Sequence, residues 1–409
     1  MAKYRVVIIG GGFGGVKTAL ELANARRFHV TLVTAHTDFR YYPTLYRTAT
    51  GGPRRLSSIP LSEIFAGKPV HLLHDKVVGL DRETRTIKTK VGHTVGYEAL
   101  VISLGVQTNY FHIQGLKELS FGIKTLQDAE ALKKHLHQQL VVDRRPDLNY
   151  VVVGGGPTGI ELAGALPAYL KHIAKQHGVG KYAIHVDLIE AAPRLVPRMP
   201  KDVSRRLARQ LRKLGVRLYL KTAVQAQTAD ALMVGSKPIR SHTVIWTAGV
   251  TNHPFLSGQG FQLAKNGKVR TDQFLQAENG IYVIGDNADT PYSGMAQTAL
   301  YDGKYIAQNL KRLAAKQEAV PYIAKKPVYV FPAGPGWAAV LWGRLRIYGR
   351  LGWLLRSFAD LVAYHDYEPW KLATRRWVAA EGIEESCPWC SDELVQPTQV
   401  VSVAKQSSP

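Results

Sequence analysis

The amino-acid sequence predicts an α/β protein with two units of one kind, and two glycine motifs carry this prediction. The first motif follows Val6–Ile9, a β-branched apolar run typical of a buried parallel strand. Gly10, Gly12 and Gly15 then fall at the spacing G-x-G-x-x-G, and helix-forming residues follow from Lys17. A strand, a glycine turn and a helix in this order predict a Rossmann-like dinucleotide-binding unit.

The second motif repeats this pattern in the middle of the chain. The apolar run Tyr150–Val153 predicts a strand, Gly154, Gly156 and Gly159 repeat the spacing, and helix formers continue from Ile160. Two complete units predict two dinucleotides, and the usual pair is a flavin and a nicotinamide, between which hydride passes directly. One working site beside a repeat without function is the alternative, against which both complete contexts argue.

The residue after the second strand of each unit predicts how the ribose is bound. Glu190 follows the strand Val186–Ile189, and a carboxylate there accepts from ribose hydroxyls and repels a 2′-phosphate. This predicts a preference for NADH over NADPH, which the nearby Arg194 weakens. In the first unit Thr34 follows Val30–Val33, and a hydroxyl binds a ribose less strongly than a carboxylate does.

Later strands add a further candidate ligand. Asp286 ends the apolar run Gly280–Gly285, at the edge where ligands bind in open α/β sheets, and its carboxylate can hold a ribityl hydroxyl. A helix is predicted over Leu300–Leu313, with residues from Tyr292 leading into it. Three short strands are predicted to form a meander: Val77–Asp81, Arg85–Lys88 and Leu100–Ser103.

The charge of the chain indicates an anionic partner. The 409 residues contain 53 Lys and Arg against 31 Asp and Glu, a formal net charge of +22. Nucleic acid, an anionic membrane face and phosphorylated ligands all fit this balance, as does a soluble enzyme with a basic surface. No nucleic-acid recognition motif is present, so nucleic acid is not predicted. No secretory signal and no run of about 18 apolar residues is found, so a membrane contact is expected at its surface.

The carboxyl-terminal segment is predicted to be amphipathic and helical. Five apolar residues fall on one helical stripe: Leu351, Leu354, Leu355, Phe358 and Leu361. Pro369 predicts the start of a second helix, on which Trp370 and Trp377 share a face. Basic amphipathic helices with tryptophan lie in the interface of anionic bilayers, whereas packing on the protein's own core or a dimer contact are the alternatives. Seven cations are expected to supply the charge: Arg344, Arg346, Arg350, Arg356, Lys371, Arg375 and Arg376.

The two cysteines, Cys387 and Cys390, form one C-x-x-C near the end of the chain. This excludes a disulfide framework, and a redox pair or half of a zinc site are the active alternatives. With no second pair of ligands, we expect a reduced, non-catalytic pair in a flexible tail and no metal site.

Four motifs give the chain a resemblance to a known group. They are Ile8–Gly15, Val153–Gly164, Ile281–Asp286 and Ala296–Ala299. The sequence resembles the flavoprotein pyridine nucleotide oxidoreductases, and within them the type II NADH dehydrogenases, which are NADH:quinone oxidoreductases that do not pump protons. The resemblance extends over about Lys3–Trp377.

The resemblance implies a role for each motif. Glu161 and Gln297 would assist proton delivery to a quinone, as catalytic residues. The FAD contacts would be Gly10, Gly12, Phe13, Gly14, Gly15, Thr34, Val77, Gly285, Asp286, Ala296 and Gln297. The NADH contacts would be Gly154, Gly156, Pro157, Thr158, Gly159, Ile160, Glu161, Glu190 and Gly249. The quinone would meet Ala296, Gln297 and Tyr301.

Two positions depart from the family pattern. Thr34 replaces the acid of the FAD site, and Tyr301 replaces the second glutamine of the motif A-Q-x-A-x-Q, which puts the identity of the acceptor in doubt. Sulfide:quinone oxidoreductases are disfavoured because their core cysteines are missing. A soluble reductase of a ferredoxin-like protein and an NADH-binding redox sensor are the competing hypotheses.

The resemblance also implies the layout and location of the protein. It would lie peripherally on the cytoplasmic face of the cell membrane, docked on anionic lipid, and a homodimer is open. The predicted segments are 1–112 and 269–330 for a split FAD domain, 113–268 for an inserted NADH domain, 331–380 for membrane docking and 381–409 for the tail.

Overall fold

The computed structural model describes residues 3–180, 184–235 and 237–379. The predicted tail from 381 onward, with Cys387 and Cys390, lies outside the described residues. The strands before residue 112 are β1 Tyr4–Ile9, β2 Phe28–Thr34, β3 Asp38–Arg40, β4 Ser58–Pro60, β5 Val70–His74, β6 Val77–Asp81, β7 Thr86–Thr89, β8 Thr94–Gly96, β9 Ala99–Ile102 and β10 Val106–Thr108. The helices of this part are α1 Phe13–Ala23, α2 Leu45–Ala49 and α3 Leu61–Ile64.

The middle of the chain alternates helices and strands. Its helices are α4 Leu116–Leu119, α5 Leu126–His137, α6 Pro157–Gln176, α7 Lys201–Lys213 and α8 Pro254–Gly258. Its strands are β11 Asn149–Val153, β12 His185–Glu190, β13 Val216–Leu220, β14 Val224–Gln227, β15 Ala231–Val234, β16 Lys237–Arg240, β17 Thr243–Trp246 and β18 Val250–Asn252.

The last part holds five strands and three long helices. The strands are β19 Gln276–Glu278, β20 Ile281–Val283, β21 Tyr329–Pro332, β22 Ala338–Trp342 and β23 Leu345–Gly349. The helices are α9 Ala296–Ala314, α10 Arg350–His365 and α11 Trp370–Ala379.

One six-stranded sheet combines strands from distant parts of the chain, in the order β19-β20-β9-β1-β2-β5. Strands β20, β9, β1, β2 and β5 are parallel, and β19 pairs antiparallel at the edge. A second, four-stranded parallel sheet has the order β13-β12-β11-β17. The predicted α/β fold with two Rossmann-like units is therefore confirmed, while the exact domain boundaries stay predictions.

Two predicted elements need correction. Leu100–Ser103 was predicted to belong to a meander, but β9 pairs in parallel with β1 in the six-stranded sheet, and the meander consists of β6, β7 and β8. All four residues of β9 are buried, as a central strand requires. The helix predicted from Leu300 begins at Ala296, so that the first turn of α9 contains Ala296 and Gln297.

The predicted docking segment is only partly helical. β21, β22 and β23 form an antiparallel sheet, and α10 packs against β22 before α11 follows. Gly164 of α6 lies against this sheet, because a side chain there would come within 2.5 Å of the Gly334 backbone nitrogen. Among the described residues, no helix combines the length and the apolar character needed to cross a bilayer.

The close contact of α1 with α9 joins the two distant segments of the six-stranded sheet, and Gly303 tests it. A Cβ atom at Gly303 would lie 2.5 Å from the Gly14 carbonyl oxygen. We expect Gly303→Ala to lower the free energy of unfolding by about 1–3 kcal/mol, because the helices must separate. Gly258→Ala, with no atom within 4 Å, is the control in the same thermal unfolding measurement. Equal melting temperatures for the two variants would contradict this packing.

Candidate functional site

The first glycine turn forms an open cradle at the start of α1. Gly10 has a φ of +110°, and a side chain at Gly15 would overlap the Gly10 carbonyl oxygen, so helix and strand can meet only through glycine. Gly12, in contrast, has no atom within 4 Å of its Cβ position. It caps α1 without a side-chain hydrogen bond. The open backbone at a helix N-terminus fits a diphosphate.

The second glycine turn has the same construction. Gly154 has a φ of +115°, a side chain at Gly159 would overlap the Gly154 carbonyl oxygen, and the space at Gly156 is open within 4 Å. Gly156 caps α6 without a side-chain hydrogen bond, and Pro157 occupies the first helical position. The molecule therefore contains two cradles that both fit a dinucleotide.

Thr34 and Glu190 occupy equivalent places beside the two turns. Glu190 accepts hydrogen bonds of 2.6 Å from the backbone N–H groups of Gly155 and Ala192. A Cβ atom on Gly11 would lie 2.7 Å from Thr34 Oγ1, as one on Gly155 would lie 2.9 Å from Glu190 Oε2. The structure thus places a buried hydroxyl in the first cradle at the position where the second has a carboxylate.

The guanidinium of Arg194 hydrogen-bonds to neutral groups of the loop and helix that follow β12. Nη1 donates to the Met199 carbonyl oxygen at 2.6 Å and to Ser204 Oγ at 2.9 Å. Its other terminal nitrogen, Nη2, donates to the Pro197 carbonyl oxygen. The side chain braces the loop between β12 and α7.

The turn with Gly285 and Asp286 is held by two residues that the sequence did not single out. Asn287 is fully buried and exchanges two hydrogen bonds with the backbone of Gly105, at 2.7 and 2.9 Å. Asp302 accepts from the Gly285 N–H at 2.9 Å, and burial raises the pKa of Asp302 to about 6. Asp286 itself is half-buried at the end of β20, next to the first cradle.

A lysine that sequence reasoning also missed lies close to Asp286. Burial lowers the pKa of Lys124, and the charge of Asp286 opposes this shift. Lys124 Nζ lies 5.7 Å from the centre of the Tyr42 ring, which stacks on Phe13 at the start of α1. A single lysine in a loop carries no signal in the sequence. The neighbouring aromatic residues Phe39 and Tyr41 are core residues.

A second cluster of charges surrounds Glu161 on α6. Burial raises the pKa of Glu161 to about 8, while the charges of Arg356 and Arg47 lower it and Asp360 raises it. Arg356 is only 4% exposed and pairs with Asp360 at 2.8 Å. Tyr41 donates to the same carboxylate at 3.2 Å. A carboxyl group with this pKa can hold a proton at neutral pH and release it.

Arg356 retains an unused donor in this cluster. Its Nη1 is buried and has no hydrogen-bond partner within the described part of the chain. The guanidinium groups of Arg356 and Arg47 each lie 5.3 Å from the centre of the Trp353 ring, a cation–π distance. The cluster is therefore polar and keeps one donor for a further acceptor atom.

The first turn of α9 contains the residues predicted to meet a quinone. Ala296 and Gln297 are half-buried, and Gln297 Oε1 accepts from the Val328 N–H at 2.8 Å. Tyr301 is half-buried one turn later, with Lys325 Nζ 5.3 Å from the centre of its ring. This places the Gln297 amide between α9 and the segment that enters β21.

The other predicted contacts lie at or near the cradles. Gly249 has a φ of +87°, and the ring of Phe111 lies directly against it. Val77 is buried at the start of β6. The remaining predicted residues line the first turns of α1 and α6: Phe13, Gly14, Pro157, Thr158 and Ile160. Among the described residues, no group of three or more His, Cys, Asp or Glu side chains is placed to hold a metal ion.

Helix α10 turns its apolar stripe away from the protein. Its inner side buries Gly352, Arg356, Ser357, Asp360 and Tyr364. Eight large apolar side chains of the carboxyl-terminal elements are more than half exposed and are here named the outward apolar face: Trp342, Leu345, Leu351, Leu354, Phe358, Val362, Trp370 and Val378. The alternative in which this stripe packs on the protein's own core is wrong for the exposed members.

Two cations of this segment were misplaced by sequence reasoning. Arg356 and Arg376 were expected to supply surface charge, but both are at least 90% buried and paired with carboxylates. Arg346 pairs with Asp202 at 2.6 Å. Besides Arg346, which is itself exposed, four of the predicted cations remain exposed on the elements that carry the outward apolar face: Arg344, Arg350, Lys371 and Arg375.

The fold and the two cradles define an oxidoreductase of the class that binds two dinucleotides. The profile of the pyridine nucleotide-disulphide oxidoreductase family matches residues 4–303, and the chain belongs to this family.

Individual proteins extend the comparison over nearly the whole chain. A type II NADH:quinone oxidoreductase of Staphylococcus saprophyticus is 25% identical over 385 residues, which are 88% of this chain and 94% of that protein. The NDH2 structure of Plasmodium falciparum in complex with NADH has a TM-score of 0.84 at 17% identity and covers 93% of this chain and 98% of its own. The sulfide:quinone oxidoreductase of Aquifex aeolicus has a TM-score of 0.74 at 19% identity, with 91% and 92% covered. At these identities the two solved structures establish the fold.

The raised pKa of Glu161 predicts a pH dependence of stability. The unfolded carboxyl has a pKa of 4.5 and the folded one about 8, so the folded state binds more protons between these values. Stability from this group therefore falls as the pH rises through that window. We expect the melting temperature of Glu161→Gln, relative to the wild type, to rise from pH 5 to pH 8 and to level off above. Glu83→Gln, at an exposed turn, serves as the control, and a constant difference for Glu161→Gln would contradict the assignment.

Proposed function

We propose that this chain is an FAD-dependent NADH:quinone oxidoreductase. The observation that carries the proposal is the position of the Glu161 cluster. Glu161 lies on the helix of the second cradle, and Arg356 and Asp360, which act on its charge, lie on the inner side of α10. The other side of the same helix is apolar and exposed. A cluster of polar groups behind a lipid-compatible surface suits an acceptor that is soluble in lipid.

The two cradles receive different nucleotides in this proposal. FAD binds the first, with Gly12 at the diphosphate, Asp286 at the ribityl chain and Thr34 at the ribose. NADH binds the second, with Gly156 at the diphosphate and Glu190 at the ribose. The side-chain carboxyl group of Glu190, beside an Arg194 that donates to Met199 and Ser204, favours NADH over NADPH.

The chain's own residues orient the acceptor and supply protons. FAD, when bound, accepts hydride from NADH and passes electrons to the acceptor. Glu161, with a pKa of about 8, donates a proton to a quinone oxygen and is then reprotonated from water. The unused Nη1 donor of Arg356 lies in the same buried cluster. Gln297, fixed by Val328, positions the quinone ring together with Ala296 and Tyr301.

The relatives support the choice of substrates. The Staphylococcus saprophyticus protein is named a type II NADH:quinone oxidoreductase, and the Plasmodium falciparum structure holds NADH. No cysteine occurs before residue 387, so the glycine turns and helices of the two cradles contain no thiol of their own. The outward apolar face and the four exposed cations around it support peripheral docking on an anionic bilayer. We place that docking on the cytoplasmic face of the cell membrane.

Turnover tests the proposed activity. NADH added without oxygen is expected to bleach the flavin absorbance of the holoenzyme, and a short-chain quinone to restore it, with NADPH a poorer donor. Glu161→Gln is expected to lower quinone turnover by about 10²-fold, because proton delivery is lost, while bleaching by NADH persists. Bleaching without recovery on addition of quinone would contradict the choice of acceptor. A flavin that stays reduced for a long time with every acceptor added would instead indicate a redox sensor.

Membrane docking is tested on the outward apolar face. Leu354→Glu and Phe358→Glu place charges on side chains that are 54% and 56% exposed, so the fold should survive. Each is expected to weaken co-sedimentation with lipid vesicles at least about tenfold, because burying an apolar side chain contributes 1.5–3 kcal/mol. Val91→Glu, at a 77% exposed site in the β7–β8 turn, should have no effect. Unchanged sedimentation of both α10 variants would exclude this surface.

A further inference from the structure

A cavity of about 360 Å³ lies beside α11, at a place that the proposed catalytic cycle does not use. It is lined by Arg55, Glu63, Leu372, Arg375 and Arg376. Three of these five side chains are cationic, and only one is anionic. A cavity with this composition has an excess of donors and of positive charge, and its natural ligand is an anion.

Arg376 forms part of the cavity wall and donates four hydrogen bonds there. Its guanidinium donates to both oxygens of Glu368, at 2.6 and 2.8 Å, and to Glu63 at 3.1 Å. The remaining nitrogen donates to the Arg55 carbonyl oxygen at 2.8 Å. These bonds tie α11 to the short turn Arg54–Leu56. The three arginines of the cavity still outnumber the two carboxylates that Arg376 contacts, Glu63 and Glu368, by one positive charge.

Arg55 and Arg375 are the two cations of the cavity that can bind a ligand. Both side chains are exposed, and neither forms an ion pair with any residue of the described chain. The Arg55 carbonyl oxygen accepts a hydrogen bond from Arg376, and Arg375 lies on α11, so both side chains extend from ordered backbone at this cavity. Guanidinium groups donate bidentate hydrogen bonds to phosphate oxygens, so a phosphate is a suitable ligand for this pair.

The cavity lies at the edge of the surface that we assign to lipid. Lys371, Arg375 and Val378 are three to four residues apart and share the exposed side of α11. Trp370, at the start of the same helix, is 53% exposed, and Val378 is 60% exposed. On the other side, Trp377 stacks on Phe358 of α10 at 6.0 Å, which places α11 beside the outward apolar face.

We propose that this cavity binds the phosphate of an anionic lipid headgroup, with Arg55 and Arg375 as its ligands and Lys371 beside them. The inference rests on the proposed membrane docking and adds a specific site to it. The adjoining apolar side chains assign the phosphate to a lipid, because a free phosphate ion gains nothing from Trp370 and Val378. The protein thus binds the bilayer in two ways: it buries the outward apolar face in the lipid, and it recognises one headgroup at the edge of that face.

Vesicle binding by the full-length holoenzyme tests this site. Three vesicle types are compared: phosphatidylcholine alone, phosphatidylcholine with phosphatidylglycerol, and phosphatidylcholine with oleate at the same surface charge. The wild type is expected to prefer phosphatidylglycerol to oleate several-fold, since only the former adds a phosphate that no choline cation balances. The double variant Arg55→Ala/Arg375→Ala is expected to lose this preference, with affinity for phosphatidylglycerol vesicles about tenfold lower.

The matched control removes the same charge elsewhere. Arg209 and Arg212 are exposed on α7, and Arg209→Ala/Arg212→Ala should keep the preference for phosphatidylglycerol over oleate. Turnover with a short-chain quinone should stay unchanged in both double variants. Equal losses in the two double variants would reduce the effect to general charge and overturn the site, as would equal binding of the wild type to phosphatidylglycerol and oleate.

A further arm separates the lipid from free phosphate, and a final one separates this site from docking itself. Inorganic phosphate at millimolar concentration should not displace the wild type from phosphatidylglycerol vesicles more than chloride of equal ionic strength does. Stronger displacement by phosphate than by chloride would assign the cavity to free phosphate and contradict the assignment to a lipid headgroup. Weaker binding of Leu354→Glu to all three vesicle types with its preference for phosphatidylglycerol retained, and loss of that preference only in Arg55→Ala/Arg375→Ala, supports both surfaces. A wild type that binds no vesicle overturns docking and headgroup site together.

Discussion

The buried ion pair of Arg356 with Asp360 fixes the direction in which helix α10 faces, and the carboxyl-terminal surface depends on it. A charge withdrawn from water is tolerated only when it is paired and hydrogen-bonded. The pair meets this condition through its own 2.8 Å contact and the hydroxyl of Tyr41. Since these groups occupy the inner side of the helix, the apolar stripe must face outward. The charges of the same pair act on the pKa of Glu161. One ion pair therefore determines both the polar cluster around Glu161 and the direction in which the apolar side of α10 faces.

The sequence was most informative where local geometry leaves no choice. At Gly15 and Gly159 a side chain would overlap a carbonyl oxygen of the same turn. The six residues of each motif therefore indicate by themselves that helix and strand approach closely. The fold class and both cradles could be predicted for this reason. The end of β12 at Glu190 was also correct, because a period of buried residues followed by a carboxylate is a local pattern.

Features that depend on distant partners could not be predicted in this way. The apolar stripe of α10 has a helical period, but the period does not say which side faces the protein. That depends on Tyr41, which is more than 300 residues away in sequence. Asn287 and Lys124 belong to the first cradle only through contacts with Gly105 and Asp286, and β9 could join a meander or a central sheet until its parallel partner β1 was known. Arg376 was predicted to be a surface cation because two of its partners, Glu63 and the Arg55 carbonyl oxygen, are more than 300 residues away in sequence.

The outward apolar face also governs how the purified molecule behaves in water. Eight large side chains more than half exposed exceed the scattered apolar residues that a monomer usually tolerates at its surface. In buffer without lipid or detergent, two copies can bury this area only against each other. Self-association, solubility and apparent molecular mass then report the composition of the solvent as much as the intrinsic assembly of the chain. A detergent micelle that covers α10 and α11 removes that driving force and leaves any genuine subunit contact to be measured by itself.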